Sequence, residues 1–217
     1  MGKKRSGGVS YALLAGGLLL AAAGVQAGPA TPEMLSNACA GCHGVKGASA
    51  GPSMPSIAGQ SKLAILEAMR AFKGKPKKDA EGKDVLDKDG KPVLDVRPST
   101  VMGRIAKGYT DAELEAMANY FSGQKLHTPE QKLDKAKVAL GNELQEKHCT
   151  RCHMENGKEG KDDSPAMAGQ WLKYLQIQMD AYTSGHRKMG EKMAEKVKPL
   201  SKDELDALLQ FYAAAVK

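Results

Sequence analysis

The chain has 217 residues, of which 41% are hydrophobic, 26% charged and only 5% aromatic, and its formal net charge is +7. That length suits two small domains, but three Phe, one Trp and six Tyr leave thin cores for units of about 90 residues unless a large apolar group fills each centre. The basic balance does not indicate a nucleic-acid partner, because no basic stripe is interleaved with aromatics.

Lys3, Lys4 and Arg5 precede an apolar run from Val9 to Val25, followed by the small-residue pattern Val25-Gln26-Ala27. This order of charge, apolar core and cleavage pattern predicts a removable export signal over 1–27 and a periplasmic mature chain of about 190 residues. The run is broken by glycine and short for a spanning helix, which needs about 20 apolar residues, so no stable membrane insertion is expected. Removal of Lys3, Lys4 and Arg5 takes the formal charge from +7 to +4.

Pro32 after Thr31 suits a first helical position, and the helix it opens leads to Cys39-Ala40-Gly41-Cys42-His43. The same pentapeptide pattern returns as Cys149-Thr150-Arg151-Cys152-His153, so the two copies use all four cysteines. Two thioether-forming cysteines followed at once by an iron ligand form the attachment pattern of a c-type haem. A zinc ribbon places its cysteine pairs about 15–20 residues apart, against 106 here. A disulfide framework gives no reason for a histidine after each pair. The sequence therefore predicts two covalently bound haem c groups, attached at Cys39, Cys42, Cys149 and Cys152. Their four propionates would offset most of the positive charge.

A shift of 110 residues superposes the two motifs and also lays Pro55-Ser56-Ile57-Ala58-Gly59-Gln60 on Pro165-Ala166-Met167-Ala168-Gly169-Gln170. Met69 then meets Met179, and Phe72 meets Tyr182, which predicts a helix after each Gly-Gln pair. Near the end of each half the offset falls to 91, pairing Met102 with Met193 and Thr110-Asp111-Ala112-Glu113-Leu114 with Ser201-Lys202-Asp203-Glu204-Leu205. The chain is a tandem duplication, and the difference of 19 residues between the offsets is an insertion in the first half. Inside it, Val85-Leu86 and Val93-Leu94 flank an Asp89-Gly90 turn, which predicts a small hairpin.

Thr110 with Glu113, and Ser201 with Glu204, form capping boxes. Behind them Leu114, Met117, Ala118 and Phe121, and then Leu205, Leu208, Leu209 and Tyr212, each mark one helical face. Val138–His148 is the predicted leading helix of the second half. The organisation expected is an export segment over 1–27, a first domain over 28–124 with an insertion over 74–98, a linker over 125–132 and a second domain over 133–217. The short linker predicts that the halves pack together.

His43 and His153, tethered beside their cysteines, each fill one axial position of an iron. The opposite ligand sets the chemistry, since a Met thioether raises the reduction potential. Met102 and Met193 both stand eight residues before a capping residue, on predicted loops that can close over an iron. Core packing is the other fate of Met in a chain with eleven, and Met189, four residues upstream, competes with Met193, although the repeat alignment favours Met193. His127 in the linker, His148 beside Cys149 and His186 in a loop are weaker rivals. The Pro55 and Pro165 carbonyls are candidates to accept the remaining N–H of each proximal histidine.

With these residues in place, the chain resembles the diheme class I cytochromes c of the cytochrome c4 type, and more closely the diheme cytochrome subunit of flavocytochrome c sulfide dehydrogenase. The likeness is carried by Thr31 through Gly44, by Ser99-Thr100-Val101-Met102-Gly103-Arg104-Ile105-Ala106-Lys107-Gly108-Tyr109, and by Ala168-Gly169-Gln170-Trp171 with Tyr174-Leu175-Gln176. The insertion departs from that family's pattern. The resemblance implies an all-α fold of two tandem class I cytochrome c domains, each wrapped around one covalent haem. It implies an FAD-containing, sulfide-oxidising partner subunit, with FAD held only by that partner, and a soluble electron acceptor such as a small cytochrome c. The chain itself would perform no bond chemistry. A free cytochrome c4-type carrier and a diheme peroxidase are the alternatives.

Overall fold

The computed structural model describes residues 30–161 and 163–215, together with Gly2 and Gly28. The predicted export segment lies outside the described residues apart from Gly2. Among the described residues, no helix is long and apolar enough to cross a membrane.

The first half opens with α1 (Pro32–Asn37), where Thr31 Oγ1 accepts from the Met34 amide at 3.2 Å and proline sits in the first turn. It continues through α2 (Ala40–His43), α3 (Lys62–Lys73), α4 (Met102–Lys107) and α5 (Asp111–Ser122). The second half repeats the order without a helical counterpart of α2, through α6 (Lys135–His148), α7 (Leu172–Thr183), α8 (Glu191–Val197) and α9 (Lys202–Ala214). The all-α expectation holds: the described strands are two-residue pairs, β1 (Lys75–Pro76) with β2 (Leu94–Asp95) and β3 (His153–Met154) with β4 (Glu159–Gly160).

The last helix of each half carries its core. Leu114, Met117, Ala118 and Phe121 of α5 are all buried and pack with Leu66 of α3. In the second half Leu208, Leu209 and Tyr212 of α9 are buried as the periodicity predicts, while Leu205 is half-buried. Phe211, fully buried, joins them because α9 is covered on two sides, by α6 and by α7. α6 begins three residues before the predicted Val138, because Asp134 caps it by accepting from the amides of Ala136 and Lys137 at 2.9 and 3.3 Å.

Both capping boxes are formed. Glu113 accepts from the Thr110 amide at 2.7 Å, and Glu204 from the Ser201 amide at 2.8 Å. These backbone bonds, helped by the cap hydroxyls, hold both carboxyls below the usual glutamate range. A depressed folded-state pKa gives stability that is present above the unfolded value, near 4.5, and is lost as pH falls through the folded value. Glu113→Gln with Glu204→Gln, which keeps the box but not the charge, should flatten this part of the acid limb of Tm against pH. An unchanged limb contradicts the assignment.

Two expectations are corrected. Met102 and Met193 do not lie on loops: Met102 opens α4 and Met193 lies within α8. The insertion is also more than one hairpin. Asp79–Lys83 and Asp87–Lys91 form matching turns, in which Asp79 Oδ1 accepts from the Lys83 amide at 2.8 Å and Asp87 Oδ1 from the Lys91 amide at 2.9 Å. The amides of Lys77, Val85 and Val93 then bond in a ring, to the carbonyls of Val93, Lys77 and Val85 respectively.

The halves pack together as the short linker predicts. Gln131 of the linker donates to the Gln170 carbonyl at 2.9 Å and accepts from the Leu172 amide at 2.9 Å. Trp171 crosses to the first half and donates its indole N–H to the Ser49 carbonyl at 3.1 Å. A Cβ on Gly51, whose φ is +59°, would stand 2.2 Å from that ring, so glycine is needed there.

Candidate haem sites and their proximal histidines

Both pentapeptides adopt one backbone turn. The amides of Cys42 and His43 donate to the Cys39 carbonyl at 3.2 and 2.9 Å, and those of Cys152 and His153 to the Cys149 carbonyl at 3.2 and 3.0 Å. The turn puts both sulfurs and the histidine on one short stretch. Cys39 and Cys149 are half-buried, Cys42 and Cys152 exposed, and all four are free thiols. Burial pushes the Cys39 and Cys149 thiols up.

His43 and His153 are buried, at 7% and 6% exposure. His43 Nδ1 lies 2.9 Å from the Pro55 carbonyl and His153 Nδ1 lies 3.3 Å from the Pro165 carbonyl, the two acceptors anticipated from sequence. With Nδ1 as the donor, Nε2 is the nitrogen left for a metal. Burial lowers the pKa of both rings against the opposing pull of the proline carbonyls, which favours neutral imidazole.

The loops that bring these carbonyls into place are held alike in both halves. The Ile57 and Ala58 amides donate to the Gly47 carbonyl, and the Met167 and Ala168 amides to the Gly157 carbonyl. The Gly59 amide reaches the Phe121 carbonyl at 2.9 Å, and the Gly169 amide reaches the Tyr212 carbonyl at 2.7 Å. Each histidine is therefore aimed through its loop by the last helix of its own half.

Met102 is half-buried at the start of α4, which packs on α3. In the second half, α7, α8 and α9 border a groove of about 1060 Å³ whose wall includes Met189 and Met179. Met193 is half-buried and does not line this groove, and neither does His153, Cys149 or Cys152. The two rival methionines thus occupy different surroundings.

Two features escaped the sequence reading. Gln145, with no exposed surface, donates to the His153 carbonyl at 2.7 Å and accepts from the Tyr212 hydroxyl. The repeat equivalents of Gln145 and Tyr212 are Leu35 and Phe121, so an apolar pair in the first half is a polar pair in the second. That paired exchange is visible in the aligned repeats. The second feature is a pair of arginines converging on Gln178 Oε1, Arg97 at 2.8 Å and Arg187 at 2.7 Å. They stack over the equivalent rings of Phe72 and Tyr182, each at 4.3 Å. Neither has a carboxylate partner among the described residues. Burial, with Arg97 alongside, lowers the Arg187 pKa.

These residues fit a covalent haem. Each half offers two free thiols and a buried imidazole whose Nδ1 is already engaged. No group of three or more His, Cys, Asp and Glu among the described residues forms a cage for a bare metal ion.

Comparison with known proteins agrees. The family model described as cytochrome c matches residues 32–125 and 138–213. The chain is similar to cytochrome c4 of Azotobacter vinelandii, 30% identical over 160 residues that cover 69% of each chain. It is 39% identical over 116 residues to the cytochrome subunit of sulfide dehydrogenase of Chlorobaculum tepidum, which covers 50% of this chain and 86% of that protein. Among solved structures it is similar to reduced recombinant cytochrome c4 from Pseudomonas stutzeri, with a TM-score of 0.64, 27% identity, and coverage of 87% of this chain and 99% of that one. The chain belongs to the cytochrome c family, with one family span in each half, and is an electron-transfer diheme cytochrome.

Proposed function

We propose that this chain is the diheme cytochrome subunit of a sulfide-oxidising flavocytochrome, taking electrons from an FAD-containing partner and passing them to a soluble acceptor in the periplasm. The observation that carries electron transfer is the duplicated arrangement of paired thiols beside a histidine whose Nδ1 is tied to a proline carbonyl. The sulfide dehydrogenase partner is supported by the 39% identity to the Chlorobaculum tepidum subunit.

In this reading Cys39 and Cys42 hold the first haem and Cys149 and Cys152 the second, with residues 28–124 and 133–217 as the two domains. The haem supplies reversible one-electron exchange; the polypeptide sets its ligands, potential and surroundings. His43 and His153 would hold iron through Nε2, and the proline carbonyls at Nδ1 would raise their basicity as ligands. Met102 and Met193 would supply thioether ligands, and Arg97 and Arg187 would balance propionate charge.

Met193 is preferred over Met189 because the aligned repeats pair it with Met102, each eight residues before a capping residue. Met193→Ala should abolish the ferric thioether absorption band of the second site, and Met189→Ala should leave it intact. The reverse pattern would make Met189 the ligand.

Purification of the native assembly tests the partner. Stoichiometric FAD on a second polypeptide is the expected result. The other reading, a free cytochrome c4-type carrier, is favoured by the Pseudomonas stutzeri likeness spanning 87% of this chain. It predicts a flavin-free species that still exchanges electrons.

A further inference from the structure

The two halves meet through their Gly-Gln loops, but the contact is not symmetric. Gln60 Nε2 donates to the Ala166 carbonyl at 2.7 Å. Its counterpart Gln170, 5% exposed, makes two bonds to one residue of the first half. Gln170 Nε2 donates to the Ser56 carbonyl at 2.8 Å, and Gln170 Oε1 accepts from the Ser56 amide at 2.9 Å. Gln60 makes only the first kind of bond.

The second bond matters because the Ser56 N–H and the Pro55 C=O belong to the same peptide group. The Pro55 oxygen lies 2.9 Å from His43 Nδ1. A chain of hydrogen bonds therefore runs from the His43 ring, through one peptide, to the amide oxygen of a residue in the other half. An acceptor on the N–H side of a peptide polarises it and makes its carbonyl a stronger acceptor. A stronger acceptor at Nδ1 gives the imidazole more anionic character and raises its basicity as a ligand, which favours ferric over ferrous iron. In the second half the corresponding distance, His153 Nδ1 to the Pro165 oxygen, is 3.3 Å, and Gln60 has no bond to the Ala166 amide that would extend it.

We propose that Gln170, a residue of the second half, is a positioning residue for the first iron site, lowering that site's potential through the Ser56–Pro55 peptide and the His43 imidazole. Docking of the halves thereby tunes one site and not the other. The inference rests on His43 being the iron ligand of the first site.

The test is a redox titration of the holoprotein carrying Gln170→Met, which removes both bonds with little change in volume, beside Gln60→Leu as a control for a loosened interface. The first-site step is identified by its displacement in a Met102→Ala companion. Gln170→Met should raise the first-site potential by up to a tenfold change in the one-electron equilibrium, about 59 mV, with the second-site step unmoved. Gln60→Leu should leave the first-site step in place. In the ferrous protein, the ¹⁵N-labelled His43 Nδ1–H resonance should move upfield in Gln170→Met, while that of His153 stays. Gln170→Glu, which keeps an acceptor oxygen, should restore the His43 resonance toward its original position, and it carries the test if Gln170→Met fails to assemble. Unmoved potentials and an unmoved His43 resonance, with both haems attached, would overturn the relay alone. An equal shift from Gln60→Leu would overturn it in favour of general loosening. A wild-type protein without histidine ligation at the first site would instead strike the parent reading.

Discussion

Met102→Ala is expected to leave the first haem covalently attached, lower that site's potential and open it to carbon monoxide. Attachment survives because Cys39, Cys42 and His43 lie on the α2 turn, while Met102 lies on α4, in a separate segment of chain. The potential falls because a thioether stabilises ferrous iron, and replacing it with water or a vacant position removes that preference. Axial ligands span roughly 0.8 V across haem proteins, so a drop on the order of 0.2 V is reasonable for one ligand. Such a drop changes the one-electron equilibrium by about three powers of ten. A spectroelectrochemical titration with and without carbon monoxide reads both effects. An unchanged potential, with no carbon monoxide spectrum, would remove Met102 from the coordination sphere.

The second large effect is structural. Gly141 sits where α6 crosses α9, and a Cβ there would stand 2.2 Å from the Ala207 carbonyl oxygen and 2.6 Å from Phe211 Cβ. The nearest obstacle is helix backbone, which cannot rotate aside. An alanine gains about 1 kcal/mol of helix propensity over glycine, but overpacking costs about 1–3 kcal/mol and sometimes more, so the clash wins. Gly141→Val, with two further methyl groups and poorer helix propensity, should cost at least ~3 kcal/mol. For a domain of this size that corresponds to a fall in Tm on the order of 10–20 °C, with Gly141→Ala in between. The loss falls on the second half, because α6 delivers Cys149 and α9 carries most of its core. Gly123→Ala, where the nearest contacts of a Cβ are at 3.6 Å, is the control and should unfold near the wild-type temperature. Equal Tm values for Gly141→Val and wild type would mean that the helices do not cross this closely.

Much of this architecture is legible in the sequence because duplication prints each signal twice. The capping hydroxyls with their third-position glutamates fix where α5 and α9 begin, and the aligned prolines point to the carbonyls that meet both histidines. The short helices α4 and α8 were not legible. Neither has a side-chain cap, α4 is six residues long and α8 seven, and helices that short depend on packing. The eight-residue spacing of Asp79 and Asp87 is a signal for two turns, but the Asp89-Gly90 pair is the stronger local turn signal and by itself points to one hairpin. Gln145 and Gln170 look like ordinary surface glutamines in a single sequence. Their burial depends on what tertiary structure places opposite them, Tyr212 and the His153 carbonyl for one and the Ser56 peptide for the other.

Peptide mapping of the purified native protein by mass spectrometry bears most directly on the account. It should find one haem bound through Cys39 and Cys42 and another through Cys149 and Cys152, with no unmodified form of either peptide. A single haem per chain, or a disulfide joining either cysteine pair, would contradict it.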